Sequence, residues 1–205
     1  ASVLWPARPD LVGASARSFV ETGYRYVKYG WAPMGPDLAL DVELVAAARE
    51  ALGDDVGLMV DAGRVWTAVE AMKRAERFAE YGAFWLEEPL HPYDNSGYAE
   101  LASASPVPIA GGEAVTLLEE YDALLATGLH FVQPDLGRVG GITYAQRLAA
   151  TAHARGCRPV PHAFGTGVLL AASAQWTAAA PQPLTEYTRA PSPLARDLAR
   201  HTMEF

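Results

Sequence analysis

The chain has 205 residues, half of them hydrophobic, and a formal net charge of −8. This length suits one domain with a sizeable core, and the negative charge argues against a nucleic-acid partner, which would need a basic face. Its only cysteine, Cys157, excludes an internal disulfide framework and fits a reducing cytoplasm, which is the predicted location. We expect no membrane span and no signal peptide, because no run of about 18 apolar residues occurs and the N-terminus lacks the charged-then-apolar layout.

Short β-type runs alternate with longer helical stretches along the whole chain. The eight predicted strands cover 2–5, 24–30, 56–62, 84–89, 108–113, 130–135, 158–164 and 184–188. The seven predicted helices cover 9–23, 36–53, 67–82, 95–105, 116–128, 143–156 and 168–180. This α/β alternation predicts a parallel sheet with outer helices. Eight β units favour a single closed (β/α)7β barrel of the TIM type over residues 1–205, with a doubly wound open sheet as the alternative.

Almost every predicted strand ends on an ionisable residue. In a barrel of this kind, functional groups gather at the C-terminal ends of the strands. We therefore expect these side chains to converge at one open end of the barrel, which we call the mouth. In chain order they are Lys28, Asp61, Glu87, Glu113, Asp135, His162 and Glu186.

Asp61, Glu87 and Glu113 predict a metal site. Successive members lie 26 residues apart, one βα unit each, on three consecutive strands. Three unpaired carboxylates aimed at one point would repel one another, and a divalent cation would resolve this. Ligation by oxygen alone suits Mg²⁺. The alternative is three independent carboxylates, each capping a helix or paired with an arginine.

The motif FWLEEP (84–89) places two glutamates side by side at one strand end. Successive side chains of a regular strand point to opposite faces, so Glu87 and Glu88 are not expected to share one role. We predict that Glu87 is the ligand. Glu88 is then expected to support the site through a neighbouring cation or amide.

His162 and Asp135 lie on adjacent predicted strands and suggest a general base. A carboxylate that binds one imidazole nitrogen fixes the tautomer and raises the basicity of the other nitrogen. The alternative for His162 is a core histidine with satisfied hydrogen bonds.

Lys28 could pair with a substrate carboxylate or an enolate, or could be an ordinary surface lysine. Glu186 could donate a hydrogen bond if burial keeps it protonated, or could pair with Arg189.

Six segments together resemble the barrel domain of the enolase superfamily, in its mandelate racemase-like branch. They are VDAG (60–63), EEP (87–89), GGE (111–113), QPDLGRVGG (133–141), PHAF (161–164) and TEY (185–187). The resemblance implies a Lys or His base together with Mg²⁺ that stabilises an enolate. It assigns the three metal ligands, the dyad of Asp135 and His162, and Glu186 as an acid facing the substrate carboxylate.

Three residues depart from that branch. Relatives typically carry Lys-x-Lys on the second strand, but this chain reads Lys28-Tyr29-Gly30 and lacks the second lysine. Gly63 replaces a frequent amide, and Arg138 replaces a frequent lysine. His162 is then the only evident base. Racemisation needs an acid and a base on opposite faces of the substrate. The missing second lysine therefore favours a reaction on one face of the substrate.

The expected activity is dehydration of a sugar acid, a small carboxylate substrate, with Mg²⁺ as cofactor. The alternatives are a racemase or epimerase, a cycloisomerase with Lys28 as opposing acid, and a catalytically inactive barrel. Members of the superfamily carry an N-terminal capping domain, which we expect to be absent here because the first predicted strand begins at residue 2. An uncapped barrel is expected to bind Mg²⁺ and to catalyse poorly. Homo-oligomer formation is a further possibility.

Overall fold

Seven parallel strands form one sheet whose order follows the chain. The computed structural model describes residues 1–189 and 193–198. The strands are β1 (Ser2–Leu4), β2 (Tyr26–Gly30), β3 (Gly57–Asp61), β4 (Ala83–Glu87), β5 (Ile109–Gly111), β6 (Phe131–Val132) and β7 (Arg158–Pro159). Each strand pairs with the next in parallel, from β1 to β7. All strand C-termini therefore lie at the same end of the sheet.

The sheet closes on itself through the segment that follows β7. The Ser2 amide donates to the Tyr187 carbonyl at 2.9 Å, and the Arg189 amide donates to the Ser2 carbonyl at 2.9 Å. Ser2 and Thr188 form an isolated parallel bridge. The predicted α/β barrel of the TIM type is confirmed. The eighth segment, 184–188, is not a regular strand, since it pairs with β1 through this one bridge.

Prolines explain why the last two strands are shorter than predicted. Pro134, Pro159 and Pro161 carry no N–H and cannot donate to a strand ladder. Strands β6 and β7 therefore have two residues each. Beyond them, Asp135 and His162 meet in an isolated bridge, and the His162 amide donates to the Pro134 carbonyl at 3.1 Å. The two strand ends are thus aligned without a continuous ladder.

The helices pack around the outside of the sheet. They are α1 (Pro9–Thr22), α2 (Leu38–Leu52), α3 (Ala68–Ala79), α4 (Asn95–Ala104), α5 (Leu118–Leu125), α6 (Ile142–Ala154), α7 (Gly167–Ala178) and α8 (Pro193–Asp197). Seven match the predicted helices, whereas the five-residue α8 was not predicted. Helix α1 shows the usual pattern, with Val12, Ala16 and Phe19 buried on one face. Within the described ranges, no helix is both long enough and apolar enough to cross a bilayer.

A small apolar cluster fills the barrel interior below the strand ends. It consists of Met59, Trp85, Ala110 and Val160, all buried. The Trp85 indole N–H donates to Glu87 Oε2 at 3.0 Å, which links this floor to the carboxylates above it. Ionisable groups over such a floor are poorly hydrated, and electrostatic interactions among them are therefore strong.

Helix α3 begins with the predicted capping box, which gives a test of local stability. The Thr67 hydroxyl accepts from the Glu70 amide, and the Glu70 carboxylate accepts from the Thr67 amide at 2.9 Å. We expect Thr67→Ala to lower the free energy of unfolding by about 1 kcal/mol, as removal of a helix N-cap usually does. Urea denaturation would measure this, with Thr67→Ser as the control that keeps the cap. Equal stability of the two variants would contradict the role of the cap.

Candidate active site

Three buried carboxylates meet at the C-terminal end of the barrel. Asp61 and Glu87 are the last residues of β3 and β4 and lie in register, and Glu113 follows β5 by two residues. Each offers one carboxylate oxygen, and these oxygens all lie within 4.8 Å of one another. The predicted ligand set is therefore brought together at one point.

The electrostatics of this cluster fit a divalent cation. Burial raises the pKa of Glu87 to about 8, helped by the neighbouring carboxylates and opposed by Lys28. Burial also raises the pKa of Asp61. Both shifts mean that full ionisation of the cluster is unfavourable without more positive charge. Buried oxygen donors in this arrangement suit Mg²⁺, which Asp61, Glu87 and Glu113 would hold.

Lys28 extends from β2 into the same cluster. Its Nζ contacts Glu87 Oε1 directly, lies 2.8 Å from Glu186 Oε1 and lies 3.7 Å from Asp61 Oδ2. Burial lowers the pKa of Lys28, but the charges of Glu186, Glu87 and Asp61 outweigh this effect and hold the pKa well above its usual value. Lys28 is therefore a buried cation of the mouth and not a surface lysine.

His162 and Asp135 form a hydrogen-bonded pair beside the carboxylate cluster. His162 Nδ1 lies 2.8 Å from Asp135 Oδ2, and His162 Nε2 lies 3.2 Å from Glu113 Oε2. Burial lowers the pKa of His162, but the hydrogen bond to Asp135 and the charges of Glu186 and Glu113 raise it to about 9. Nε2 therefore points towards the proposed metal position, while Asp135 orients the ring from behind.

The raised pKa of His162 predicts a pH dependence of stability in Mg²⁺-free buffer. The unfolded-state pKa is about 6.5, so the stabilisation is fully present below that pH and is lost as the pH rises through about 9. We expect the melting temperature to fall between these two values. His162→Gln should flatten the fall, most clearly above pH 8, where the raised pKa of Glu87 contributes less. An unchanged slope in the variant would contradict the assignment.

Glu186 lies in the closing segment, between Lys28 and His162. Its Oε2 accepts from the Ala163 amide at 2.9 Å and lies 3.9 Å from His162 Nε2. Burial raises the pKa of Glu186, but Lys28 and His162 outweigh burial and lower it to about 2. The lowered pKa favours the ionised form of Glu186 in this arrangement, so a hydrogen bond donated by a protonated Glu186 is not favoured here. Its ion pair is with Lys28, and the described residues include none between Glu186 and Arg189.

Glu88 supports the cluster from outside. Strand β4 ends at Glu87, and Glu88 turns away with a φ of 41°. Its Oε1 accepts from the Gly112 amide at 2.8 Å, and its Oε2 lies 3.6 Å from Arg64 Nε. The prediction of a supporting role beside an amide and a cation is confirmed in these contacts.

Gly30 stands where relatives typically carry the second lysine, and it lies against Asp61. Gly30 is in register with Asp61, and a Cβ built on Gly30 would lie 2.7 Å from Asp61 Cβ. Any side chain at this position would therefore displace Asp61. The side chains that line the mouth from the β2 side are therefore those of Lys28 and Trp31.

A one-atom change at Gly30 tests this crowding. We expect Gly30→Ala to displace Asp61 and weaken Mg²⁺ binding about 10-fold, at the low end of the losses caused by misoriented ligands. The variant changes no charge. Isothermal titration calorimetry with Mg²⁺ would measure the effect, with Gly13→Ala in helix α1 as a control, because only the flexible end of the Arg17 side chain lies close to a Cβ built there. Wild-type affinity in Gly30→Ala would show that Asp61 is not constrained by this contact.

The mouth is an open cavity of about 320 Å³. Four of the residues that line it were not predicted from the sequence to contact substrate. Trp31 and Arg64 line it on the β2 and β3 side, and Arg138 and Phe164 line it on the β6 and β7 side. Arg138 donates to the Glu113 carbonyl at 2.9 Å and so also holds the cluster. All four lie in the segments that follow strands β2, β3, β6 and β7, within six residues of the strand end, and this position could have marked them.

Comparison with known proteins identifies the family and several relatives of this chain. The family described as enolase C-terminal domain-like matches residues 11–205. The D-galactarolactone cycloisomerase of Agrobacterium fabrum is 37% identical over 176 residues, which cover 80% of this chain and 46% of that protein. The L-talarate/galactarate dehydratase of Salmonella typhimurium is 41% identical over 128 residues, which cover 62% of this chain and 32% of that protein.

A solved structure shows the same fold. The structure of a racemase from Streptomyces coelicolor with bound magnesium superposes with a TM-score of 0.75 at 32% identity, over 85% of this chain and 49% of the other. The chain spans about half the length of the proteins it matches, or less. The match to the family model covers nearly the whole chain, and the chain therefore belongs to the enolase C-terminal domain-like family.

Proposed function

We propose that this chain forms the catalytic barrel of a Mg²⁺-dependent enzyme that dehydrates a sugar acid. The observation that carries the proposal is one oriented base beside one carboxylate cluster: His162 Nε2 lies 3.2 Å from Glu113 Oε2, with Asp135 behind the ring. The similar dehydratase from Salmonella typhimurium supports this choice of reaction.

The proposed reaction begins with removal of the substrate α-proton by His162 Nε2. When bound, Mg²⁺ would hold the substrate carboxylate and stabilise the enolate charge. Neutralising the surrounding carboxylates lowers the pKa of His162 from about 9, so that the imidazole can accept a proton at neutral pH. Lys28 is positioned to add positive charge near the developing enolate, because its Nζ lies among Glu87, Asp61 and Glu186.

Elimination then completes the reaction on the same face. The imidazolium of His162 returns its proton to the β-hydroxyl group, the β-carbon–oxygen bond breaks, and water leaves. The electron pair of the enolate forms the carbon–carbon double bond of an enol, which tautomerises to a 2-keto-3-deoxy acid. No second base is required, which agrees with the glycine at position 30.

Cycloisomerisation is the second candidate, favoured by the similarity to the Agrobacterium fabrum enzyme over 80% of this chain. It would use the same proton removal, but the leaving oxygen would belong to a ring of the substrate. No water is lost in that case. The mass of the product therefore separates the two reactions.

The test is incubation of the full-length protein, with Mg²⁺, with a panel of sugar acids and their lactones. Detection of a 2-keto acid that has lost one water supports the dehydratase, and a 2-keto acid of unchanged mass supports the cycloisomerase. Solvent deuterium in recovered substrate without either product would indicate an epimerase. Failure to turn over or exchange any acid of the panel would overturn the proposal. Activity confined to the longer protein would indicate that this chain alone is an inactive barrel.

A further inference from the structure

Two neighbouring loops form a wall of the cavity that the proposed reaction does not use. Trp31 directly follows β2, and Arg64 follows β3 by three residues. Both adopt left-handed backbone conformations, with φ values of 69° and 68°. Such conformations are costly for residues other than glycine and persist where the surrounding structure imposes them, often at functional sites. The Trp31 amide donates to the Asp61 carbonyl at 3.2 Å, so the wall is joined to a ligand residue.

A buried network around Gly35 holds the loop that presents Trp31. Arg74 Nε donates to Asp41 Oδ2 at 2.7 Å, and both side chains are buried. The Gly35 amide donates to Asp41 Oδ1 at 2.9 Å, and its carbonyl accepts from Arg74 Nη2 at 2.9 Å and from the Trp66 indole at 2.8 Å. Buried charges with all partners satisfied fix a conformation. The network therefore fixes the backbone of the loop that carries Trp31, whose half-exposed indole lines the mouth.

The Arg64 guanidinium is available to a ligand. It lies 5.7 Å from the centroid of the Trp31 ring, and its nearest carboxylate oxygen, on Glu88, is 3.6 Å from Nε. Across the described ranges, the Arg64 side chain makes no hydrogen bond, and 31% of its surface is exposed. Arg138, on the other side of the mouth, already donates to the Glu113 carbonyl. Arg64 thus lines the cavity with only its Nε near a carboxylate, and its two terminal NH2 groups are the donors it could offer to a ligand.

Arg64 also lies at the far side of the mouth from the base. It follows the third of eight barrel segments, and His162 follows the seventh, so the two are on opposite sides of the ring. Both residues line the same cavity, together with Asp61 and Glu113 of the carboxylate cluster. A substrate held at the cluster with its α-carbon towards His162 would therefore extend its other end towards Trp31 and Arg64.

We propose that Trp31 and Arg64 form a second anion subsite, which binds a carboxylate or phosphate at the distal end of the substrate. This inference rests on the proposed function. A guanidinium matches either group through two parallel hydrogen bonds, and the indole face offers apolar surface to the carbon chain. The preferred substrates are then sugar acids with an anionic group at both ends.

The experiment measures the binding affinities of three acids of equal carbon number by calorimetric titration in the presence of Mg²⁺. The acids are an aldonate, an aldarate, and an aldonate phosphorylated at the end opposite its carboxylate. We expect at least one doubly anionic acid to bind about 10-fold more tightly than the aldonate, since a hydrogen bond between charged groups adds affinity of this order. The order of the aldarate and the phosphorylated acid identifies the distal group. Arg64→Gln should lower the affinity for the doubly anionic acids and remove their preference over the aldonate, whereas Arg64→Lys should keep part of that preference.

The control is Arg77→Gln, which removes an exposed arginine of α3 that pairs with Glu80. It should leave all three affinities unchanged. Equal binding of the three acids, or a preference that survives Arg64→Gln, would overturn the subsite and leave the proposed function intact. Absence of binding by every acid would also overturn the subsite, whereas the proposed function is overturned by failure of the turnover panel described above.

Discussion

Replacing Glu87 with glutamine is expected to weaken Mg²⁺ binding by at least about 100-fold, because loss of a supporting residue alone typically costs about 10–100-fold. Glu87 is fully buried and lies in the centre of the ligand set, between Asp61 and Glu113. Glutamine keeps the shape of the side chain but removes its charge. The wild-type protein should gain about 2.7 kcal/mol of stability at an Mg²⁺ concentration of 100 times its dissociation constant, and the variant should gain almost none at that concentration.

Calorimetric titration and thermal unfolding with and without Mg²⁺ would test both parts. Glu80→Gln is the matched control, since it removes the same charge from an exposed position at the end of α3. The control should bind Mg²⁺ like the wild type. A variant at Glu87 that binds within threefold of the wild type would show that the ion, if it binds, lies elsewhere.

Replacing His162 with glutamine is expected to lower the rate of α-proton removal about 1000-fold, within the range of about 10²–10⁴ for a general base. His162 Nε2 faces the carboxylate cluster, and no lysine follows Lys28 on β2 to replace it. Exchange of the substrate α-proton with solvent deuterium measures this step directly. The effect should appear in kcat and leave Mg²⁺ affinity within a few-fold, because His162 is not a proposed ligand.

The control for this variant is His153→Gln, an exposed histidine in the last turn of α6. Its exchange rate should match the wild type. If His162→Gln retains more than a tenth of the wild-type rate, His162 is not the base, and Lys28 becomes the group to replace next.

Much of the site follows from the order of residues in the sequence. The alternation of β runs and helices predicts a parallel barrel, and parallel strands must end on the same face. For that reason Asp61, Glu87 and Glu113 could be expected to converge from their spacing alone. The pairing of Asp135 with His162 follows in the same way from adjacent strand ends.

The boundaries of the last strands were less predictable. The runs at 130–135 and 158–164 look uniformly β-like, but their prolines cannot donate hydrogen bonds, and only two residues of each form a regular ladder. The run at 184–188 closes the barrel through a single bridge. Hydrophobic pattern indicates that a segment is extended, and the number of N–H groups available to its neighbour decides whether it becomes a strand.

By itself, the sequence determined the barrel, its carboxylate triad and its single evident base, because each depends on which residue ends which strand. Only the tertiary structure decided how the charges combine. It places Lys28 against Glu87 and Glu186, which lowers the pKa of Glu186 to about 2, and it leaves no room for a side chain at Gly30 beside Asp61. It also brings Trp31 and Arg64 together. These outcomes depend on distances of a few ångströms between residues far apart in the chain, which strand order and composition do not specify.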